Sequence, residues 1–283
     1  IKSYISDRHF QIRFGSSVSK IEKILAGVPQ GGILSPFLFN IYTSDQPISQ
    51  NTTVADYADD KSIISIDKNP ITASANLQTH LNLMSEWYTD WRIKPNPIKS
   101  VHTTFTLCHS ICPNVYLNNI LIPTADSVRY LGLYLDKRLT WNSHIRIKRL
   151  ALNARLRRLR TLLTNNKHSN LKIKVLMYKT LLKPICPYGL QLWGTAKAFN
   201  TNKIQQFQNI ALRKITNAPP FVSNYTLHND LSIKTVTEEA IRFYKIFHAQ
   251  LQTHRNPLIK NLSIQTLPGN PRRRLKRRWC RDL

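Results

Sequence analysis

Two adjacent aspartates, Asp59 and Asp60, are the residues of this chain with the clearest capacity for chemistry. They lie between two short stretches with strand propensity, 53–57 and 62–66, so two like charges are expected in a tight turn. A divalent cation would relieve this repulsion, because Mg²⁺ prefers oxygen ligands and often binds one or two carboxylates together with substrate phosphates. Two such ions about 3.5–4 Å apart activate a hydroxyl and stabilise a leaving pyrophosphate. An ordinary exposed turn is the alternative.

The charge balance favours a polyanionic partner. The chain has 283 residues, with 41 Lys+Arg against 15 Asp+Glu and a formal net charge of +26. No acidic residue occurs from Lys137 to Asn229, a stretch that holds 18 Lys+Arg, and seven more cations lie within 272–281. A long basic surface of this kind is typical of proteins that bind a nucleic-acid backbone. A solvated basic face without a ligand is the alternative.

The composition narrows the class of protein. Hydrophobic residues make up 42% of the chain, enough to bury a core, which argues against a disordered basic tail. No apolar run approaches the roughly 18 residues of a membrane span, so no membrane partner is predicted. Four cysteines favour a reducing compartment, so an intracellular location in the cytoplasm or nucleus is expected. A first residue of Ile1 suggests a fragment or a processed product, and the oligomeric state is open.

Hydrophobic periodicity predicts the elements that position the aspartates. Before residue 142 the pattern is mixed, with a hairpin over 10–25, helices at 37–42 and 72–91, and strands at 53–57, 62–66, 101–107, 115–117, 120–122 and 128–135. Ser35 is the expected N-cap of the first of these helices. Later segments have the spacing of basic amphipathic helices: 145–163, 171–182, 202–216 and 235–252. The sequence therefore predicts an α+β region followed by an all-helical basic region.

Four motifs, in order, resemble those of reverse transcriptases. Tyr57-Ala58-Asp59-Asp60 resembles the catalytic turn, and 27–36 resembles the Pro-Gln-Gly loop with the helix that follows it. Segment 91–100 resembles the part that carries a lysine near the incoming nucleotide. Segment 130–145 resembles the primer-grip hairpin and the start of the thumb. With Tyr188-Gly189 further on, the order is most similar to the non-LTR retrotransposon enzymes of the jockey type.

The resemblance implies an architecture and an activity. Residues 1–142 would form a partial palm, an antiparallel sheet with helices that includes the primer-grip hairpin. Residues 143–283 would form an all-helical thumb and a basic C-terminal region. The implied activity is that of an RNA-directed DNA polymerase, which performs template-directed nucleotidyl transfer by a two-metal mechanism. Its partners would be an RNA template, a DNA primer, the RNA–DNA hybrid and dNTP.

The resemblance also implies roles for single residues. Asp59 and Asp60 would be catalytic and hold Mg²⁺. Lys99 would be catalytic, placing a charge near the departing pyrophosphate or supplying a proton. Contacts to nucleotide or template are expected from four residues: Gln30, Gly31, Gly32 and Tyr57. The two glycines would let the backbone approach a base closely. For Gln30 and Lys99 the alternative is a surface polar residue.

The chain departs from the family pattern in its acids. Family members use a third aspartate well upstream of the Pro-Gln-Gly loop, and before Gly27 this chain offers only Asp7 and Glu22. The Mg²⁺ site would then be completed by an aspartate outside this chain, and the isolated fragment is expected to be inactive. Gly32 stands where serine is frequent in relatives, a change expected to be tolerated.

Two other interpretations stand beside the polymerase. The chain could be a non-catalytic nucleic-acid-binding remnant of a decayed retroelement, or a decayed copy whose product has no role. A zinc site at Cys108, His109 and Cys112 is disfavoured because the spacing matches no standard finger. The segment 272–278 could serve as a nuclear localisation patch or as a nucleic-acid tail.

Overall fold

The computed structural model describes three stretches of the chain: residues 1–108, 111–165 and 170–263. The basic segment 272–281 and His109 lie outside these stretches, so the expectations that concern them remain predictions. Within the described part no helix combines the length and the apolar character that a bilayer crossing requires.

The backbone divides into two compact units. The first comprises Ile1–Thr104 and Cys108–Ala125, and the second comprises Phe105–Leu107 and Asp126–Leu283. The division falls earlier than residue 142, where the sequence pattern changes. It does so because the strands that follow residue 126 pack with the first helix of the second unit.

Short antiparallel strand pairs and three helices make up the first unit. Its helices are α1 (Lys2–Ile5), α2 (Ser35–Tyr42) and α3 (Pro70–Asp90). Its strand pairs are β1 (Arg8–Phe10) with β4 (Glu22–Ile24), β2 (Arg13–Phe14) with β3 (Ser17–Val18), β5 (Thr52–Tyr57) with β6 (Asp60–Ser65), and β7 (Tyr116–Leu117) with β8 (Ile120–Leu121). Helices mixed with small antiparallel sheets agree with the α+β prediction.

Helix α3 carries the core of the first unit. Asn69 caps it by accepting from the N–H of Ile71, and Pro70 occupies the first turn, as helix starts favour. Leu81 of this helix is buried in one apolar cluster with Val115, Leu117 and Ile122. Ile63 of β6 packs against the same cluster, so the β5–β6 hairpin rests on α3 through one face.

Two predicted strands differ in the structure. Segment 101–107 forms no strand. It has an isolated bridge between His102 and Thr124, and the N–H of Thr106 donates to the carbonyl of Lys137. Segment 128–135 folds as a hairpin, not as a single strand, because Leu131 and Gly132 both adopt positive φ and reverse the chain. This second outcome agrees with the hairpin expected from the family resemblance.

The second unit begins with that hairpin and continues as helices. The hairpin is β9 (Ser127–Tyr130) with β10 (Leu133–Asp136). The α-helices are α4 (Asn142–Arg158), α5 (Leu171–Met177), α6 (Leu190–Trp193), α7 (Ala198–Thr216), α8 (Asn224–Asp230), α9 (Val236–Gln252) and α10 (Pro257–Asn261). Two of the predicted long helices end in π-helical turns, Thr161–Asn165 and Tyr178–Leu182.

A single apolar core joins the helices of the second unit. Its largest fully buried side chains are Trp193 of α6, Tyr178 of the second π-helical turn and Phe207 of α7. Trp141, directly before α4, is buried in the same core. The capping box of α9, made by Thr235 and Glu238, fixes the start of this helix where its sequence predicts it.

Candidate functional site

The turn that carries the two aspartates has a two-residue loop. Tyr57 pairs with Asp60 across β5 and β6, which leaves Ala58 and Asp59 between the strands. Ala58 has a φ of +54°, a left-handed conformation that is costly for a residue with a Cβ. Strained residues of this kind cluster at functional sites. Asp59 therefore lies in the loop itself, whereas Asp60 is the first residue of β6.

Strand alternation assigns the neighbouring side chains to two faces. Tyr57 and Asp60 share one face of the hairpin, and the next pair, Asp56 with Lys61, lies on the other. The face of Asp56 and Lys61 also carries Ile63, which packs on α3. Both candidate metal ligands are exposed, so the two carboxylates are accessible to a ligand on the side away from α3.

The donor chemistry of the turn fits part of a Mg²⁺ site. Asp59 and Asp60 offer carboxylate oxygens, and Mg²⁺ commonly takes one or two carboxylates and completes its shell with water and phosphate oxygens. Among the residues that the structure describes, no group of three or more His, Cys, Asp or Glu side chains is arranged to hold a metal ion. For a metal ion bound at the turn, Asp59 and Asp60 would supply two ligands, and water, substrate or another polypeptide segment would supply the others.

Asp56 and Lys61, the strand pair next to Tyr57 and Asp60, form an ion pair that was not predicted from the sequence. Lys61 Nζ is 2.8 Å from Asp56 Oδ1. Gln46 donates from Nε2 to Asp56 Oδ2 and accepts from Lys61 Nζ at Oε1. The signal was present in the sequence, because Asp56 and Lys61 are equally distant from a two-residue loop and must therefore face each other.

His80 supports the other end of the hairpin. Its side chain is fully buried, and Nδ1 lies 2.6 Å from Thr52 Oγ1 at the start of β5. Burial and the positive charge of Lys61 lower the pKa of His80, so the ring is neutral at pH 7. Sequence periodicity placed this residue in α3 but gave no indication of its contact with the hairpin.

The Pro-Gln-Gly loop is held at its end by a serine. Ser35 is buried, and its Oγ donates to the carbonyl of Pro29. The prediction of Ser35 as N-cap was wrong: Leu34 occupies that position without a side-chain cap, and Ser35 is the first helical residue. The hydroxyl closes the loop, and so it is not free to cap the helix.

The two glycines of this loop differ in their surroundings. Gly31 has a φ of +81°, and no atom lies within 4 Å of an added Cβ. A Cβ added to Gly32 would overlap Tyr4 Oη and lie 2.9 Å from Ser35 Oγ. Serine at position 32 of this chain is therefore accommodated only if the Tyr4 side chain moves. The expectation that glycine is tolerated where relatives often have serine stays a prediction. Gln30, beside them, is exposed.

Lys99 lies in an exposed turn after α3. Its backbone N–H donates to the carbonyl and to the side-chain oxygen of Asn96, each at 3.2 Å. Gln30, Lys99 and the two aspartates all belong to the first unit. Across the described residues, no hydrogen bond or ion pair joins Gln30 or Lys99 to either aspartate.

In the second unit, the Tyr-Leu-Gly hairpin is fixed to α4 by an aspartate. The Asp136 carboxylate accepts from the backbone N–H groups of Thr140 and Trp141, both at 2.8 Å. These bonds hold the loop in which Trp141 has a φ of +64°. The motif from Tyr130 to Trp141 therefore acts as one hydrogen-bonded connection between a hairpin and a helix.

Helix α4 presents two kinds of basic residue. Lys148 is buried, and its Nζ donates to the carbonyls of Ile185 at 3.1 Å, Cys186 at 3.3 Å and Tyr188 at 2.8 Å. Burial lowers the pKa of Lys148 to about 8. Its ammonium also lies 5.0 Å from the centre of the Trp193 ring. This lysine is therefore part of the core and cannot contact a phosphate.

The arginines of α4 also differ in whether they contact protein groups or solvent. Arg149 donates from Nη1 to the carbonyl of Lys203 at 2.7 Å and lies over the ring of Phe207. Three arginines in the last turn of α4 are exposed: Arg155, Arg157 and Arg158. These cations, and Arg146 earlier in the helix, which is also exposed, are accessible to a polyanion.

Comparisons with known proteins show what the chain as a whole is similar to. Residues 1–135 match the family described as reverse transcriptase (RNA-dependent DNA polymerase). The chain is 35% identical over 288 residues to the probable RNA-directed DNA polymerase from transposon X-element of Drosophila melanogaster. The chain belongs to the reverse transcriptases of non-LTR retrotransposons. This reverse transcriptase chain is also 35% identical to the probable RNA-directed DNA polymerase from transposon BS, and 31% identical to the polymerase from mobile element jockey, of the same organism.

The alignments cover almost all of this reverse transcriptase chain but only part of its relatives. They include 100% of the chain for X-element, 98% for BS and 99% for jockey. The chain spans about a third of the length of these relatives, with shares of 31%, 31% and 32%. No solved structure matches the chain. Reverse transcriptases as a family generally use a divalent metal, a nucleic-acid template and dNTP substrates.

Proposed function

We propose that this chain is the part of an RNA-directed DNA polymerase that carries two metal-binding aspartates and a helical nucleic-acid-binding unit. In the complete polymerase the reaction is template-directed nucleotidyl transfer onto a DNA 3′-hydroxyl, with RNA as the template. One observation carries this proposal: Asp59 and Asp60 lie exposed at a strained two-residue turn in a chain related to RNA-directed DNA polymerases.

In this proposal Asp59 and Asp60 hold Mg²⁺. When bound, two ions supply activation of the primer hydroxyl and neutralisation of the leaving pyrophosphate. Tyr57 shares the face of Asp60, and its ring is exposed. In this proposal that ring contacts the primer terminus. The backbone around Gly31 and the amide of Gln30 contact nucleotide or template, and Lys99 places a charge at the pyrophosphate.

The proposed functional regions do not coincide with the two structural units. We assign residues 1–142 to a partial palm with the primer-grip hairpin, and residues 143–283 to a thumb and a basic C-terminal region. The β9–β10 hairpin packs on α4, so the proposed grip and the proposed thumb belong to one unit. The exposed arginines at the end of α4 contact the backbone of the RNA–DNA hybrid in this assignment.

The isolated chain is proposed to be inactive in synthesis. A two-metal site in this family uses a third carboxylate from upstream of the Pro-Gln-Gly loop. The acids before Gly27 in this chain are Asp7, which is 3.5 Å from Lys23, and Glu22, which is 3.0 Å from Lys20. Asp7 directly precedes β1 and Glu22 is the first residue of β4, and each is paired with a lysine. The third ligand is therefore proposed to come from a longer polypeptide.

The test uses a polymerase that contains this chain together with the upstream part of its relatives. Asp59→Asn and Asp60→Asn should each lower primer extension on an RNA template by about a thousandfold, the loss of several kcal/mol of transition-state stabilisation. Affinity for the RNA–DNA hybrid should stay within about twofold of the parent, since phosphate contacts by cations dominate binding. Asp67→Asn, the same charge change at an exposed residue past β6, is the matched control.

Two results would reject the polymerase proposal. Synthesis that survives Asp59→Asn would show that the turn is not the metal site. A longer polypeptide that binds hybrid with steep salt dependence but extends no primer would favour the non-catalytic nucleic-acid-binding remnant. Robust Mg²⁺-dependent synthesis by residues 1–283 alone would reject only the proposed inactivity of the isolated chain.

A further inference from the structure

We infer that Asp56, assisted by Gln46, is a positioning residue that keeps the Lys61 ammonium away from the metal-binding face of the β5–β6 hairpin. The inference rests on the proposed function of Asp59 and Asp60 as metal ligands. It concerns a lysine that directly follows Asp60 in the sequence, where a free cation would compete with a metal ion for the same carboxylates.

Strand geometry places the Lys61 side chain on the hairpin face that packs on α3. Asp60 and Lys61 are consecutive strand residues, so their side chains leave the hairpin on opposite faces. Lys61 Nζ lies 2.8 Å from Asp56 Oδ1, and both side chains are half-buried, with exposed fractions of 21% and 33%. The pair is therefore partly shielded from solvent, in a position where it is screened less than a surface pair would be.

Gln46 completes the arrangement. Its amide bonds to both members of the pair, to Asp56 through Nε2 and to Lys61 through Oε1. Both carboxylate oxygens of Asp56 are thus engaged on the face that rests on α3. Asp56 is for that reason not a third metal ligand, although it lies within five residues of the other two acids.

Removing the Asp56 carboxylate should release the Lys61 ammonium from its ion pair. A lysine side chain is long and flexible, and its ammonium is a compact charge that reorients when its partner is removed. Asp59 and Asp60 are then the nearest carboxylates along the hairpin. A lysine ammonium beside these two carboxylates disfavours a bound metal cation, because it repels the cation and competes with it for the ligand oxygens.

Terbium luminescence on the 283-residue chain provides a readout that does not depend on synthesis. Tb³⁺ binds carboxylate oxygens, and Tyr57, on the same face as Asp60, is the expected sensitiser. The Asp59→Asn/Asp60→Asn double variant defines the signal that belongs to the turn. Asp56→Asn preserves the size of the side chain but removes the charge, and it should weaken Tb³⁺ affinity by about three- to tenfold.

The decisive comparison is the double variant Asp56→Asn/Lys61→Met. It lacks the ion pair altogether, so a purely structural role of the pair predicts affinity as weak as in Asp56→Asn or weaker. The positioning role predicts recovery to within about twofold of wild type, because the competing ammonium has been removed. Asp67→Asn, with the same change in net charge, should bind Tb³⁺ like wild type.

The possible results distinguish the positioning role of Asp56 from the metal site itself. Unchanged affinity in Asp56→Asn, or failure of the Lys61→Met change to restore binding, overturns the positioning role while leaving the metal site in place. A wild-type chain without an Asp59- and Asp60-dependent signal overturns the metal site itself and the inference with it. Near-ultraviolet circular dichroism of each variant separates loss of binding from loss of folding.

Discussion

Gly132 and Tyr188 are in direct contact within the second unit, where a Cβ added to Gly132 would lie 3.3 Å from Cε1 of the tyrosine ring. The Tyr188 hydroxyl also donates to the carbonyl of Leu131 in the same hairpin turn. The next residue, Gly189, has a matching relationship with Leu133, whose Cδ2 would be 2.5 Å from an added Cβ. Two glycine motifs that are distant in the sequence therefore form one packed contact.

Gly132→Ala should destabilise the second unit by about 1–3 kcal/mol. The alanine would have to adopt a φ of +77°, and its Cβ would have to displace the Tyr188 ring. If the ring is the obstacle, the cost of Gly132→Ala should fall by at least about 1 kcal/mol when Tyr188 is already alanine. Urea unfolding followed by tryptophan fluorescence measures both values in a double-mutant cycle. Strict additivity of the two substitutions would show that the contact does not limit the turn.

His144 should make the second unit less stable as the pH falls. Burial, and then the charge of Lys148, lower the pKa of His144 to about 4, against 6.5 for an ordinary histidine. Above pH 6.5 the ring is neutral in both the folded and the unfolded state. Between pH 6.5 and 4 only the unfolded state takes up the proton, so the free energy of unfolding decreases across this window by up to about 3 kcal/mol.

The control for this pH dependence is His144→Gln, which removes the titrating ring. Unfolding free energies at pH 7.5 and pH 4.5, monitored through the tryptophans of the second unit, should differ less in the variant than in wild type. An identical pH dependence would assign the effect to other groups. The buried histidines of the first unit, His80 and His102, also have lowered pKa values, which is why the signal must come from the second unit.

The end of α4 should account for part of the salt dependence of nucleic-acid binding. Changing Arg155, Arg157 and Arg158 to glutamine should lower the slope of log K against log salt concentration by about 2 to 3, since each phosphate that a cation neutralises adds close to 0.9 to the slope. Fluorescence anisotropy with an RNA–DNA hybrid at several KCl concentrations measures the slope. Three exposed lysines of the first unit provide a control with the same charge change: Lys2, Lys20 and Lys68. Equal effects of the two triple changes would contradict a contact at α4.

Local sequence signals predicted the long helices well. The apolar spacing of α3 and the caps at Asn69 and Thr235 act within a few residues, so the helices they begin lie close to their predicted positions. The strand predicted over 101–107 failed because its apolar residues found no strand partner in the described fold and lie largely exposed. Strand formation depends on pairing with distant residues, which periodicity cannot report.

In the candidate site, too, the features set by neighbouring residues were predicted and those set by contacts between separate segments were not. Asp59 and Asp60 were identified by type and by motif, which are local properties. The Asp56–Lys61 pair was not, since it appears only when the register across the turn is applied to both strands. Lys148 was predicted as one cation of a basic helix, because the carbonyls that surround it come from a segment nearly forty residues further along the chain.

That use of peptide carbonyls bears on the long stretch without acids. A buried ammonium is ordinarily neutralised by a carboxylate, but Lys148 is satisfied by dipoles of the main chain, and Arg149 bonds a carbonyl in the same manner. The interior of the helical unit therefore needs no aspartate or glutamate there to accommodate these two residues. Glu239 is the internal counter-charge of Lys183, another cation of this stretch, at 2.8 Å. Lys148 and Arg149 are met by dipoles instead, so their charges still add to the positive potential that an approaching strand would meet.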